Sequence, residues 1–290
     1  MAEGLSTVGI DVRRRVKLAP TKPAQDSVAA PDASQDHAPR EWVLPGVHAA
    51  ARRLLAGVAR GRLLDLAAGE GAMSQWACAH GFDVVATEID RSIFRARGIP
   101  CHAVDLNQLL PLADASFDVV TALEIIEHLE NQYQFVREIA RVLRPGGHAI
   151  LSTPNEHNLQ NRWNYFLTGF YGDSRHVIDE QDPEMPLRHI NMIPPSQLEL
   201  VWRRAGLELA GIDISKLRPT TWLWLPLMLP LQRLRYQLKL SRIRDPRALD
   251  RCRRVYALLG DVRMLMGRVV VYHLVKPAAA FPDASQEPPP

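Results

Sequence analysis

The sequence predicts an α/β fold, a mostly parallel sheet covered by helices on both faces. Three observations predict it. Short aliphatic and β-branched segments alternate with stretches of helical periodicity, a glycine-containing turn joins the first strand to a helix, and the acidic residues Asp65, Glu88, Asp105 and Glu124 stand at successive strand ends. Such alternation implies parallel pairing, and right-handed crossovers then collect the loops after the strands on one rim, where ligands bind in folds of this class.

The elements follow in order. Val47–Ala59 has apolar residues at helical spacing. A short buried strand, Arg62–Leu66, runs into the glycine turn and a helix over Met73–His80, which Gly81 stops. Strands are predicted at Asp83–Glu88, His102–Val104 and Phe117–Leu123. The helix Gln132–Leu143 ends at Arg144-Pro145-Gly146-Gly147, where proline and glycine cannot continue it, and His148–Ser152 forms the fifth strand. Ser196–Ala205 is a helix, Leu207–Ile214 a sixth strand and Arg268–Val275 a β-branched seventh. Between the last two strands lies an insertion, Lys216 to Gly267.

The chain has 290 residues, 47% of them apolar, enough for one large domain with a substantial core. Residues 1–40, rich in Ala, Pro, Asp, Ser and Gln, and residues 277–290 are expected to be disordered tails, with the folded domain spanning 41–276. A formal charge of +3 does not argue for nucleic acid. Three widely spaced cysteines, Cys78, Cys101 and Cys252, exclude a disulfide framework and fit a reducing compartment. Glu3 and Asp11 interrupt the start of the chain where an export signal needs a continuous apolar stretch, so a cytoplasmic location is expected.

The first strand leads into Asp65-Leu-Ala-Ala-Gly69-Glu-Gly71. Glycines there let the backbone turn sharply and approach a ligand closely, and the next helix offers free N–H groups at its start. Taken alone, this describes any tight strand-to-helix turn. Glu88, however, ends the second strand, where a carboxylate accepts hydrogen bonds from a ribose diol, and Asp105 follows the third, in reach of an adenine amine. A dinucleotide oxidoreductase would need G-x-G-x-x-G after the first strand, and that pattern is absent.

Asp65–Gly71 resembles the first motif of class I S-adenosylmethionine-dependent methyltransferases, D-x-G-x-G-x-G, with Ala67 in place of its first glycine. Val104-Asp105-Leu106, Leu110-Pro111, Asp114, Phe117-Asp118-Val119-Val120, Glu124-x-x-Glu127-His128-Leu129, Arg141-Val-Leu-Arg-Pro-Gly-Gly147 and Ser152-Thr-Pro-Asn155 continue the likeness in order, over roughly residues 45–215. The resemblance implies a Rossmann-like sheet of seven strands, here with a helical insertion before the last strand. It also implies that Asp65, Ala67, Gly69 and Gly71 cradle the methionine end of the cofactor and that Glu88 holds the ribose. Asp105 and the backbone of Leu106 would read the adenine, and Leu123 would line the pocket.

Glu124, Glu127 and His128 stand at i, i+3 and i+4 and would share one face of a helix. One reading is an acid-rich helix start with a locally packed histidine. In a second, His128 is the general base for a hydroxyl acceptor. In a third, these side chains bind a divalent ion, Mg, Mn or Zn, as this pattern does in the ubiquinone-biosynthesis O-methyltransferases and small-RNA 2′-O-methyltransferases that it resembles, with His189 or His176 completing the site. Asn155, Asn158, Asn161, Arg162, Trp163, Asn164 and Tyr165 form a polar, aromatic stretch suited to a sugar or aromatic acceptor, or equally to a loop with satisfied amides.

Thr220–Leu231 is the most apolar run in the chain and too short to span a bilayer; nine basic residues against two acidic follow between Arg233 and Arg254. This pairing suggests peripheral contact of residues 220–254 with the inner face of a membrane. A dimer interface or an active-site cap is the alternative. RNA is disfavoured, because the aromatic residues neighbour prolines and leucines and not arginines. Insertions of this kind resemble those of bacterial methyltransferases acting on cell-surface saccharides and lipid-linked glycans. A saccharide or lipid-linked acceptor is therefore expected first, a quinone-precursor phenol second and an RNA ribose third. A non-catalytic cofactor-binding partner is the reading from another class.

Overall fold

In the computed structural model, which describes residues 38–171 and 189–278, the alternation becomes one seven-stranded sheet. The strands are β1 Arg62–Leu66, β2 Asp83–Glu88, β3 Cys101–Ala103, β4 Phe117–Leu123, β5 Leu143–Pro154, β6 Glu208–Ile214 and β7 Val269–Val275, in the order β3-β2-β1-β4-β5-β7-β6. The first five are parallel, and β7 runs antiparallel to both β5 and β6. This is the Rossmann-like arrangement that the resemblance implied.

Adjacent side chains on the central strands point to opposite faces, and each face has its own core. On one side Leu63, Val119, Ile150, Val269 and Val271 pack with α1 (Val47–Leu55) and α2 (Ala72–Ala79). On the other, Leu64, Val120, Leu151, Val270 and Tyr272 meet α3 (Gln132–Val142) and α5 (Pro195–Arg204). Three layers result, with β1 and β4 at the centre, buried on both faces.

Most predicted boundaries agree within a residue or two, and three differences have physical reasons. First, Arg144–Gly147 does not separate α3 from β5 but belongs to the strand. Phe117 pairs with Leu143 and Val119 with His148, so the intervening residues form a bulge, bonded to β7's end through Gly146 N to Lys276 O and Lys276 N to Gly147 O. Second, α1 stops at Leu55, four residues early. Third, Arg40, assigned by composition to the tail, is held by Glu70.

The insertion consists of α6 (Thr221–Leu240), α7 (Pro246–Leu259) and α8 (Val262–Met266). The apolar run and the start of the basic segment are thus one helix, with Pro226 and Pro230 inside it, both exposed. Pro246 at the first turn of α7, capped by the Asp245 side chain, marks the break. Leu225, Met228 and Leu229 anchor α6 on Leu265, Met266 and Leu159, the last from α4 (Leu159–Thr168). Among the described residues, no helix is long and apolar enough to cross a membrane.

Trp202 on α5 is 1% exposed and tilts against the Tyr272 ring at 5.3 Å between centroids. Truncating it to alanine leaves a cavity that the rigid sheet cannot close. The expected loss is ~3–5 kcal/mol of stability, read as a lowered urea midpoint at unchanged m-value.

Candidate functional site

Parallel register sets the site. Leu66 lies opposite Thr87 of β2 and Ala122 of β4, and Glu88 opposite Ala103 of β3. The residues that follow, Ala67 to Gly71, Glu88, Asp105 and Leu123, therefore gather at one rim.

The glycine turn takes left-handed backbone at Ala67 (φ +53), Gly69 (φ +56) and Gly71 (φ +92). Alanine in that region costs roughly 1–2 kcal/mol, so Ala67 keeps the conformation that the missing glycine would adopt freely. Gly71 is obligatory on a second ground: a Cβ there would stand 2.6 Å from the Phe94 ring and 2.7 Å from Ala96 Cβ.

The turn is bonded from both sides. Gly69 N–H donates to Glu88 Oε2 at 2.7 Å, and Ile89 N–H donates to Glu88 Oε1 at 2.8 Å. Glu88 is buried, yet each of its oxygens keeps acceptor capacity beyond these backbone donors. That is the donor-hungry surface a ribose diol needs, and the residues present fit the adenosyl cofactor implied by the resemblance.

Asp65 lies at the base of the turn. Its Oδ2 accepts from Ser74 Oγ and its Oδ1 from Thr121 Oγ1, both at 2.6 Å, and all three residues are buried. Burial raises its pKa to about 6, against the lowering effect of the two hydroxyls. The carboxylate braces β1, α2 and β4 beneath the turn. Asp105 is exposed, and its Oδ1 accepts from Asn107 N at 2.9 Å, shaping the loop in which Leu106 is buried. Leu123 is buried at the end of β4.

A strap from the N-terminal side clasps this rim, and composition gave no sign of it. The Glu70 carboxylate accepts from Arg40 N (2.9 Å), Arg40 Nε (3.0 Å) and Trp42 Nε1 (3.2 Å). Trp42 lies over Gly69, its Cβ 3.5 Å from where a Gly69 side chain would begin. Leu44 N–H then donates to Glu124 Oε2. The signal available in sequence was the aromatic and apolar run Trp42-Val-Leu44, which marks the tail's end.

Glu124 is thereby removed from the expected triad. It sits in left-handed backbone (φ +50), and the helix begins only afterwards, as a single 3-10 turn, Ile126–His128. Glu124, Glu127 and His128 do not share a helix face. Burial raises the Glu124 pKa, with Leu44 N and Arg268 opposing. The structure instead brings together Glu127, His128 and His189, one ligand atom from each lying within 4.8 Å of the others. His176 lies outside the described residues.

Glu127 is fully buried, and burial raises its pKa to about 8; its own backbone N–H and the Thr153 hydroxyl oppose this, but both approach outside good hydrogen-bond geometry. His189 meets His128 edge-on at 5.0 Å. Asn191 holds it there: Asn191 N donates to Glu127 O at 3.0 Å and Nδ2 to Leu129 O at 3.0 Å, while Gln132 Nε2 donates to Ile126 O and Asn191 O.

The asparagines after β5 are internal struts. Asn155 Nδ2 donates to Met264 O and Gly267 O, and Asn158 and Asn161 both donate to Asn155 O. Trp163 and Tyr165 are exposed.

The Arg40 and Trp42 donors outweigh the effect of burial and hold the Glu70 pKa below the ordinary carboxylate value. A depressed folded-state value means that the stabilisation is present at neutral pH and is lost as pH falls through that value. Acidification below the ordinary carboxylate range should therefore release residues 40–44, and Glu70→Ala should release them at pH 7. The check is hydrogen exchange in this segment, with protection falling roughly tenfold or more.

A family profile described as a methyltransferase domain matches residues 35–211. The chain is 28% identical over 180 residues to the ubiquinone biosynthesis O-methyltransferase of Bordetella avium, a match covering 59% of this chain and 72% of that protein. It is 39% identical over 97 residues to a probable S-adenosylmethionine-dependent methyltransferase of Mycobacterium tuberculosis (32% and 35% covered). With a second probable S-adenosylmethionine-dependent methyltransferase, from Mycolicibacterium smegmatis, it shares 63% identity over 46 residues (16% and 18% covered). The matches thus span about a third or less of the two mycobacterial proteins' own lengths. On the profile match, over more than half its length, the chain belongs to the methyltransferase domain family.

Proposed function

We propose that this chain is an S-adenosylmethionine-dependent methyltransferase acting on a hydroxyl of a saccharide or lipid-linked acceptor. The observation that carries the first half is the buried Glu88 carboxylate at the carboxyl end of β2, hydrogen-bonded to Gly69 N of the glycine turn. When bound, the cofactor supplies a methyl group on a sulfonium, displaced in line, so positioning provides much of the rate. Glu88 would take the ribose hydroxyls, and the open backbone at Gly69 and Gly71 the methionine end. Asp105 and Leu106 would flank the adenine, with Leu123 beneath it. Ala67 sets the turn, and Asp65 holds it from below.

A hydroxyl acceptor must lose its proton, and an alkyl or sugar hydroxyl needs more help than a phenol. His128 stands in the loop after β4 as the base. Glu127, His128 and His189 would also hold a divalent ion, Mg, Mn or Zn, whose charge acidifies the hydroxyl. The support is the pair of unpartnered oxygens on a fully buried carboxylate beside two imidazoles. A quinone-precursor phenol is the rival acceptor, favoured by the name of the Bordetella relative. The lipid-linked reading rests on α6, where Leu223, Leu227, Leu231, Leu234 and Leu238 form an exposed stripe beside Arg233, Arg235 and Lys239. Such a face suits an anionic membrane surface.

Calorimetry with S-adenosylhomocysteine tests the cofactor site. The unmutated chain should bind, and Glu88→Ala should lose roughly tenfold or more, because a charge-assisted acceptor is removed and Gly69 N–H is orphaned. Absence of binding to the unmutated chain would overturn the cofactor site, and binding without turnover on any hydroxyl acceptor would favour the non-catalytic cofactor-binding reading. Manganese titration should show one site that Glu127→Gln removes; turnover unchanged in excess chelator, with no such site, eliminates the metal. Leu223→Glu with Leu227→Glu should abolish flotation with anionic liposomes, and equal flotation of both proteins counts against the membrane surface.

A further inference from the structure

Between α4 and α6 lies a cavity of about 490 Å³, within the ~300–1,000 Å³ range of small-molecule sites. Leu159, Trp163, Trp224, Met228 and Leu231 supply its apolar wall, and Trp163 and Trp224 stack at 5.4 Å between ring centroids. Its polar groups are Arg162, Gln232, Arg235 and Tyr236. Among the described residues, no acidic side chain lines it.

Arg162 is the unusual member. Its Nε donates to His157 O at 2.7 Å and its Nη1 to Gln232 Oε1 at 2.5 Å, both neutral acceptors. Burial lowers its pKa, with the nearby tyrosines opposing, and burial together with Arg162 pushes His157 down to about 4, so that His157 is neutral at pH 7. Among the described residues, no carboxylate pairs with this guanidinium. A half-buried cation set in an apolar wall without a counter-ion is costly unless an anion joins it. Arg235 adds a second, exposed positive charge.

We infer that this cavity binds a single-chain anionic amphiphile, with the aliphatic chain against Trp163, Trp224, Met228 and Leu231 and the acidic head group on Arg162 and Arg235. The site deepens the lipid-facing reading of α6 but does not require the amphiphile to be the methylated molecule. Nor does it require a membrane, since the cavity accepts one chain from solution.

The probe is dodecyl phosphate below its micellar threshold, added to the full chain and followed by tryptophan fluorescence and calorimetry. Saturable one-to-one binding is expected, at least tenfold tighter than that of dodecanol or inorganic phosphate. Arg235→Gln removes the exposed charge, and Leu231→Trp fills the cavity from an exposed position. Each should weaken dodecyl phosphate at least fivefold and leave S-adenosylhomocysteine binding unchanged. Equal binding of dodecanol overturns head-group recognition, and equal binding of phosphate reduces the site to an anion site and overturns the proposal. Wild-type affinity in both variants, or no saturable binding, also overturns it. If S-adenosylhomocysteine still binds in that case, the methyltransferase reading stands and this inference alone fails.

Discussion

The hydrogen bond from Gly69 N to Glu88 Oε2 depends on two conditions met at once. The register of β1 against β2 must place Leu66 level with Thr87, and the chain must then bend through left-handed backbone at Ala67 and Gly69. A slip of one residue would turn every side chain of β1 to the opposite face and carry Asp65 away from Ser74 and Thr121. The two cores enforce the register, because Leu63 and Leu64 are each committed to a different one. Burial in the sheet thus fixes the position of the loop that follows β1.

The acids on this rim divide according to what they bond. Asp65, Glu70 and Glu124 spend their oxygens inside the protein, on hydroxyls of α2 and β4, on the strap, and on Leu44 N. Glu88 takes only backbone donors at the ends of its own loop and the glycine turn, and Glu127 takes none by geometry. An ionised carboxylate so poorly supplied with donors is expensive to bury, and this is what raises the Glu127 pKa to about 8. His128 and His189 each bring a ring nitrogen within 4.8 Å of its carboxylate.

Much of this was legible in the residues. Strands β1, β2 and β4 could be bounded from sequence because each is a short aliphatic run between breakers, and Gly69 and Gly71 are where the backbone needs positive φ. Glu124 was misplaced because i, i+3, i+4 spacing carries geometric meaning only inside a helix, and the chain bends the other way at Glu124 first. The strap was missed because Arg40 and Trp42 act through one carboxylate thirty residues away, a contact that local periodicity does not encode. For Asn155, Asn158 and Asn161 the plain alternative, satisfied amides, describes most of their bonds. α6 passes through Pro226 and Pro230 on its exposed side, where the freed carbonyls meet water.

That helix is tied to the rim through the same asparagines. Asn155 follows directly on β5 and bonds the carbonyls of Met264 and Gly267 at the end of the insertion, while Asn158 caps α4 by accepting from Asn161 N. α4 in turn carries Leu159 into the anchor of α6 and Arg162 onto Gln232. The end of β5 and the insertion are therefore linked by buried hydrogen bonds, and α4 joins α6 through the partly buried Arg162–Gln232 bond and the Leu159 contact. A molecule held on Arg162 would rest on a support continuous with the sheet edge from which the other loops reach the cofactor site. Its chain would lie along the one helix in the described structure that leaves a run of leucines uncovered.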